Sequence, residues 1–234
     1  MAWRSPACET RDMAGGDERP FERPRRPGRP FPADDGPAGV VPGPALVELT
    51  CEDGRLLSGS AGGQPVRLDL TLAHVGAAAG TVAGQSVSAS WENGDNYVVY
   101  PDVPAYLNGE FGGQPVELHG TFHLAPGYFF QLGRIVGHVG GEALEATAEP
   151  VSGGLGGRAV AVDGTLGATE FTLYATIDGS LSRGRLRGTV AGEPVRIDAE
   201  RDQPPGRAGT RLAGRYLGPP ALLALAVGAF LYFI

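Results

Sequence analysis

The sequence predicts an all-β fold, an antiparallel meander of about six β-hairpin repeats that forms a rolled sheet, a barrel or a sandwich. Three observations support this prediction. A glycine-containing pattern occurs six times between residues 57 and 195. The run that follows each copy alternates apolar and polar residues, which is typical of strands with one dry and one wet face. No long amphipathic helix is indicated between residues 46 and 200.

Each copy of the pattern has an apolar residue, a glycine two positions later, a second apolar residue, and a Gly or Ala before the last apolar residue. The small residues in the middle suit a two-residue hairpin turn, because such turns require positive φ. The fifth copy carries Ala168 where the others have glycine. The six copies occupy residues 57–66, 78–87, 107–116, 135–144, 162–171 and 186–195.

A loop of only two residues fixes the register of each hairpin. The strand glycine then lies opposite the residue seven positions later, on the apolar face of the sheet. Glycine in a strand interior costs about 0.5–1 kcal/mol relative to alanine, so its recurrence indicates a bend or a close approach of two layers. The predicted pairs are Gly59–Val66, Gly80–Val87, Gly109–Val116, Gly137–Leu144, Gly164–Phe171 and Gly188–Val195. By the same alternation, Leu118 belongs to the dry face.

The flanks of the repeat differ from it in composition. Residues 1–44 are rich in Pro and Arg and carry few aliphatic side chains, so we expect a disordered tail. Residues 45–200 form the Gly-rich β-hairpin domain, and Val47–Cys51 adds a further strand. Residues 201–216 are polar and bear arginines, which is typical of a linker. Cys51 alternates with Val47 and Leu49, so we expect a buried strand residue.

The last segment, residues 217–234, has no charged residue. Eighteen helical residues would extend about 27 Å, close to the thickness of a bilayer core. We therefore expect one C-terminal transmembrane helix, a single-pass anchor. The competing interpretation is a buried terminal helix or strand of the domain. Arginines precede this segment and none follows it, which favours a β domain on the cytoplasmic side of the membrane.

The charge of the chain bears on its partners. The formal net charge is −7, and residues 46–200 hold eight Arg against eighteen acids. Nucleic acid is thereby excluded as an expected partner, because phosphate backbones require a basic face. The expected partners are the membrane, through residues 217–234, and a protein or small molecule. The sequence indicates no cofactor.

Two long connections, residues 92–106 and 125–134, combine aromatic rings with carboxylates. Such a combination on adjacent loops resembles a rim that binds a sugar, a cation or a peptide. The competing interpretation is that these rings cap the end of the sheet. The candidate ligand-binding rim consists of Trp91, Asp95, Tyr97, Tyr100, Asp102, Tyr106, Tyr128 and Phe129.

No nucleophile elbow, phosphate-binding loop or dinucleotide fingerprint is present. The predicted site has no catalytic residue and no metal ligand. We therefore interpret the chain as a membrane-anchored β-repeat scaffold or binding module without catalytic activity. A β-barrel that binds a small apolar ligand is the closest alternative. A glycan-acting hydrolase is the third, because its carboxylate pair leaves no local signature.

Overall fold

The computed structural model describes residues 46–73, 75–93, 102–125, 129–154, 157–180, 182–201 and 209–233. The predicted disordered tail, residues 1–44, lies outside these described residues. Fourteen strands are followed by one helix. The strands are β1 Leu46–Glu52, β2 Leu56–Ala61, β3 Gln64–Thr71, β4 Val75–Val82, β5 Gln85–Asn93, β6 Asp102–Phe111, β7 Gln114–Ala125, β8 Phe129–Val139, β9 Glu142–Gly154, β10 Gly157–Leu166, β11 Thr169–Asp178, β12 Arg183–Val190, β13 Glu193–Arg201 and β14 Gly209–Arg215, and the helix is α1 Pro220–Phe233.

The strands form one closed antiparallel barrel in which each strand pairs with its neighbours in sequence, and β14 pairs with β1. Of the three arrangements that the repeat allowed, the structure is therefore the barrel. Closure pairs the edge strands, so that neither is left with a free row of backbone donors and acceptors. The register shifts at two positions, between His123 and Leu124 and between Ala159 and Val160.

The predicted hairpin register is confirmed in all six repeats. Ala83 and Ala191, which stand at the first turn position of two hairpins, have positive φ as a primed turn requires. All six two-residue turns lie at one end of the barrel, which we call the turn end; the longer connections lie at the opposite end, the loop end. The observed pairs are Gly59↔Val66, Gly80↔Val87, Gly109↔Val116, Gly137↔Leu144, Gly164↔Phe171 and Gly188↔Val195.

The strand glycines permit a close approach between neighbouring strands. At Gly188, φ is +143° and a Cβ atom would stand 1.9 Å from the carbonyl oxygen of Thr172 on β11. No side chain fits at that distance, so each repeat bends where only glycine is tolerated. Comparable contacts with a neighbouring backbone carbonyl arise at Gly59, Gly80, Gly109, Gly137, Gly164 and Gly214.

The predicted alternation of dry and wet faces is also confirmed. Along β3, Val66, Leu68 and Leu70 are buried, whereas Arg67 and Asp69 between them are exposed. The buried residues of the strands point into the barrel and form a single apolar core with α1. Most outward residues are polar, as period-two alternation requires when one face of a sheet is buried; Val75, Tyr106 and Val151 are exposed exceptions.

Residues 201–216 are not only a linker, which corrects the sequence-based prediction. Gly209–Arg215 form β14, the strand that closes the barrel between β13 and β1. Thr210 and Leu212 point inward and are buried. The strand escaped prediction because its inward positions include a threonine and a glycine, so only Leu212 contributes a strong apolar signal.

The expected transmembrane helix over residues 217–234 is not supported. The observed helix, α1, has 14 residues. No helix in the described part of the chain is both long enough and apolar enough to cross a membrane. The apolar side chains that suggested a span are buried in the barrel core instead, among them Leu222, Leu223, Val227 and Leu231.

Candidate functional site

The lumen of the barrel is the most distinctive feature of the structure. Barrel diameter grows with strand number, and about eight strands already give an interior that side chains just fill. Fourteen strands therefore enclose more space than their own inward side chains can occupy. Among the described residues, Thr210 is the one buried polar or charged residue. The lumen is thus a dry, apolar compartment that needs an additional occupant.

Helix α1 is that occupant. Ala221, Leu222 and Leu223 are all buried although they point in three directions around the helix axis, and residues 224–226 are half-buried. The first turn of α1 is thus apolar and covered on every side, which is typical of an enclosed position, whereas Ala229 near its other end is exposed. Its side chains belong to the same core as the inward side chains of the strands. The helix contacts β4, a strand rich in small residues that permits a near approach.

The chain enters the lumen at the turn end. Arg215, the last residue of β14, pairs with Leu46 at the start of β1. The backbone then reverses through residues 216–219, where a Cβ atom at Gly218 would lie 2.7 Å from Val190 Cγ1. The Tyr216 hydroxyl donates a hydrogen bond of 2.8 Å to the carbonyl oxygen of Pro219. Burial raises the pKa of Tyr216, so its hydroxyl stays protonated and remains a donor.

A small apolar pocket remains between α1 and one side of the lumen. Packing between the helix and the wall is therefore less complete here than in a fully interdigitated core. The pocket has no polar lining group, and its volume of about 10 Å³ leaves room for little more than one water molecule. It is lined by Leu49, Leu57, Val66, Leu68 and Val82 from β1–β4, and by Leu223, Ala224 and Val227 from α1.

Cys51 lies on β1 near the loop end of the barrel and faces the lumen. It is only 2% exposed, as predicted for a buried strand residue. Burial raises the pKa of its thiol, an effect opposed by a hydrogen bond with the backbone of Gly54 and reinforced by the charge of Glu52. The neutral thiol therefore predominates at neutral pH, and a protonated thiol is a poor nucleophile. Its role is packing.

Two residues of the predicted aromatic rim lie on opposite faces of the barrel wall. Trp91 is half-buried on the inward face, where its indole N–H donates a hydrogen bond of 2.9 Å to the Ala73 carbonyl. Tyr106 lies on the outward face, 47% exposed, and its ring stacks on His119 with centroids 4.9 Å apart. These two side chains do not share a site, although their strands are neighbours.

The other six rim residues are placed only in part. Asp102 and Phe129 begin β6 and β8, at the loop end of the barrel. The remaining four, Asp95, Tyr97, Tyr100 and Tyr128, lie outside the described residues. The Tyr106–His119 stack was not predicted, although the predicted register of Gly109 with Val116 also places these two residues opposite each other. Within the described ranges, no group of three His, Cys, Asp or Glu side chains is placed to hold a metal ion.

Comparison of the chain with protein-family models, with curated proteins and with solved structures finds no match.

Proposed function

We propose that this chain is a non-catalytic binding module, a β-barrel whose lumen binds an elongated apolar ligand in exchange for helix α1. The observation that carries the proposal is an apolar lumen whose core is completed by a helix, α1, and not by the strands alone. Helix α1 follows β14 in the chain, so its first residue is tethered to the wall. Ligand pockets are mostly apolar and enclosed, and the mouths of β-barrels are a common place for them.

The helix behaves in this proposal as a tethered competitor of the ligand. Burial of Leu222, Leu223, Val227 and Leu231 stabilises the filled state by about 1.5–3 kcal/mol for each side chain. Its effective concentration is high because it is part of the same chain. An external ligand must therefore offer a comparable apolar area, and a long acyl chain is the class of molecule that does so. The apparent affinity is reduced by the small fraction of molecules whose lumen is free.

The proposal is tested by titrating the full-length protein with a fluorescent long-chain fatty acid, cis-parinaric acid. The Leu223→Ala variant should bind this probe at least about tenfold more tightly than the unmodified chain. The reason is that loss of a buried leucine costs about 2–5 kcal/mol of packing energy. This cost destabilises the helix-filled state of the lumen, so the probe displaces the helix more easily. Leu223 lines the pocket between helix and wall.

Two further variants separate this mechanism from others. Ala229→Ser changes an exposed position of the same helix and should leave the affinity for the probe unchanged. Tyr216→Phe removes the hydrogen bond to Pro219 without changing the lumen wall and should also tighten binding. If the probe binds all four proteins equally, it binds outside the lumen and the proposal is wrong; the same conclusion follows if it binds none of them.

Membrane attachment is a second candidate function, favoured by the absence of charge in residues 217–234. In this alternative, α1 leaves the lumen and inserts into a bilayer, and the barrel serves as a scaffold or binding module at the membrane surface. The cytoplasmic orientation of the barrel remains a prediction that rests on the arginines before the helix.

Flotation of the full-length chain with phosphatidylcholine vesicles tests the second candidate. The expected result is that the protein floats with the vesicles, and that Leu223→Ala increases the floating fraction because it loosens the helix. Recovery of both proteins at the bottom of the gradient would contradict membrane attachment and leave the binding of a soluble ligand unaffected.

A further inference from the structure

The outer wall of β12–β14 carries a row of three arginines on adjacent strands. Arg187 lies directly opposite Arg196, and Arg196 lies directly opposite Arg215. Side chains directly opposite in an antiparallel sheet have Cβ atoms about 4.5–5.5 Å apart, and like charges at such positions are destabilising. The row therefore works against the stability of the barrel unless something neutralises it.

The surrounding acids neutralise it only in part. The Arg187 guanidinium forms an ion pair with Asp198 and donates hydrogen bonds to the carbonyl oxygens of Leu186 and Ile197 at 3.1 and 3.0 Å. Asp198 also stands opposite Arg185 in the register, so one carboxylate lies beside two arginines.

The other two arginines of the row lack such partners. Neither Arg196 nor Arg215 forms an ion pair with another described residue. Glu48, an acid on the neighbouring strand β1, lies opposite Ala213 and not opposite Arg215. Arg196 Nε is a buried donor that has no hydrogen-bond partner among the described residues. Buried donors without partners are rare, because an unmade hydrogen bond leaves the desolvation of the group uncompensated.

The patch is also unusual for this chain, whose formal net charge is −7. Its position is at the turn end, because Arg215 is the last residue of β14 and the chain enters the lumen immediately after it. A concentration of arginines on one face of the sheet favours an anion with several acceptor oxygens. The planar guanidinium matches phosphate in a bidentate geometry.

We propose that Arg187, Arg196 and Arg215 form a binding site for a phosphate group on the outer wall of the barrel. Arg196 is its centre, since it lies directly opposite both of the other two arginines. The phosphate belongs either to a soluble phosphomonoester or to an anionic lipid headgroup, since both present the same oxygens. The site is separate from the lumen, so a failure of the lumenal ligand proposal would leave the phosphate site unaffected.

The first experiment measures binding of inorganic phosphate to the full-length chain by calorimetry, with chloride at equal ionic strength as the reference. Arg196→Gln and Arg215→Gln should each weaken phosphate binding about tenfold, since each removes charge-assisted hydrogen bonds. Arg183→Gln is the matched control: Arg183 lies on β12 outside the row and forms an exposed ion pair with Glu200 at 3.7 Å. It should bind phosphate like the unmodified chain.

The stability of the fold provides a second measurement. Loss of an arginine with a purely structural role would destabilise the barrel, whereas loss of a binding arginine from this row should stabilise it. In phosphate-free buffer, Arg196→Gln should unfold at a higher denaturant concentration than the unmodified chain, because it relieves like-charge repulsion. Added phosphate should stabilise the unmodified chain and have little effect on this variant. Equal weakening by Arg183→Gln, or no stabilisation by phosphate, would overturn the proposal.

The source of the phosphate is identified by comparing vesicles with soluble compounds. The arms are phosphatidylcholine vesicles with phosphatidic acid, phosphatidylcholine vesicles alone, and soluble phosphoserine. Arginine-dependent binding to the phosphatidic acid vesicles alone supports a headgroup site, and binding to phosphoserine supports a soluble phosphomonoester. Absence of arginine-dependent binding in every arm would refute the site.

Discussion

Replacing Gly188 with alanine should destabilise the barrel by at least about 3 kcal/mol, measured as the change in free energy of unfolding in urea. Two effects add at this position. Its φ of +143° is one that L-residues rarely adopt, and a Cβ atom would stand 1.9 Å from the Thr172 carbonyl oxygen. Backbone strain and forced overpacking each account for about 1–3 kcal/mol.

Gly192→Ala is the matched control for this prediction. Gly192 has a φ of +79° in the β12–β13 turn, and a Cβ atom there would have nothing within 4 Å. Only the conformational penalty applies, so a loss of about 1 kcal/mol is expected. Equal losses in the two variants would show that the close strand approach at Gly188 contributes nothing to stability.

Leu118→Asp is expected to have a similarly large effect, a loss of more than about 3 kcal/mol in the free energy of unfolding. Leu118 is 7% exposed and points into the barrel between Leu107 and Gly137 on the neighbouring strands. A carboxylate there would be a charge without a partner in an apolar core, one of the most destabilising changes that a single substitution makes.

Thr121→Asp introduces the same charge three residues further along β7. Thr121 is exposed on the outer wall and lies opposite Arg134, so we expect a change within about 0.5 kcal/mol. The comparison of the two variants thus separates the effect of the buried position from the effect of the added charge. An unchanged stability of Leu118→Asp would mean that Leu118 does not face the core.

Only part of the two candidate sites could be predicted from the sequence. The Arg187–Arg196 pair follows from the same two-residue turn that pairs Gly188 with Val195, so its like-charge contact was accessible from the sequence. The third member, Arg215, was not, because residues 201–216 gave no clear strand signal. The lumenal pocket could not be predicted either, since its lining comes from strands and a helix that are remote from each other in sequence.

Local patterns in the sequence determined the hairpins of this protein. A two-residue turn fixes the register of the strands that flank it, and strict alternation fixes which side chains share a face, so Gly59 and Val66 could be paired without coordinates. Only the tertiary structure decided that the sheet closes through β14 and where α1 lies. Apolar side chains gain from leaving water whichever apolar surroundings receive them, so the composition of residues 217–234 does not distinguish a bilayer from a barrel lumen. The lumen exists only after fourteen strands have closed around it, and its width then accommodates a helix.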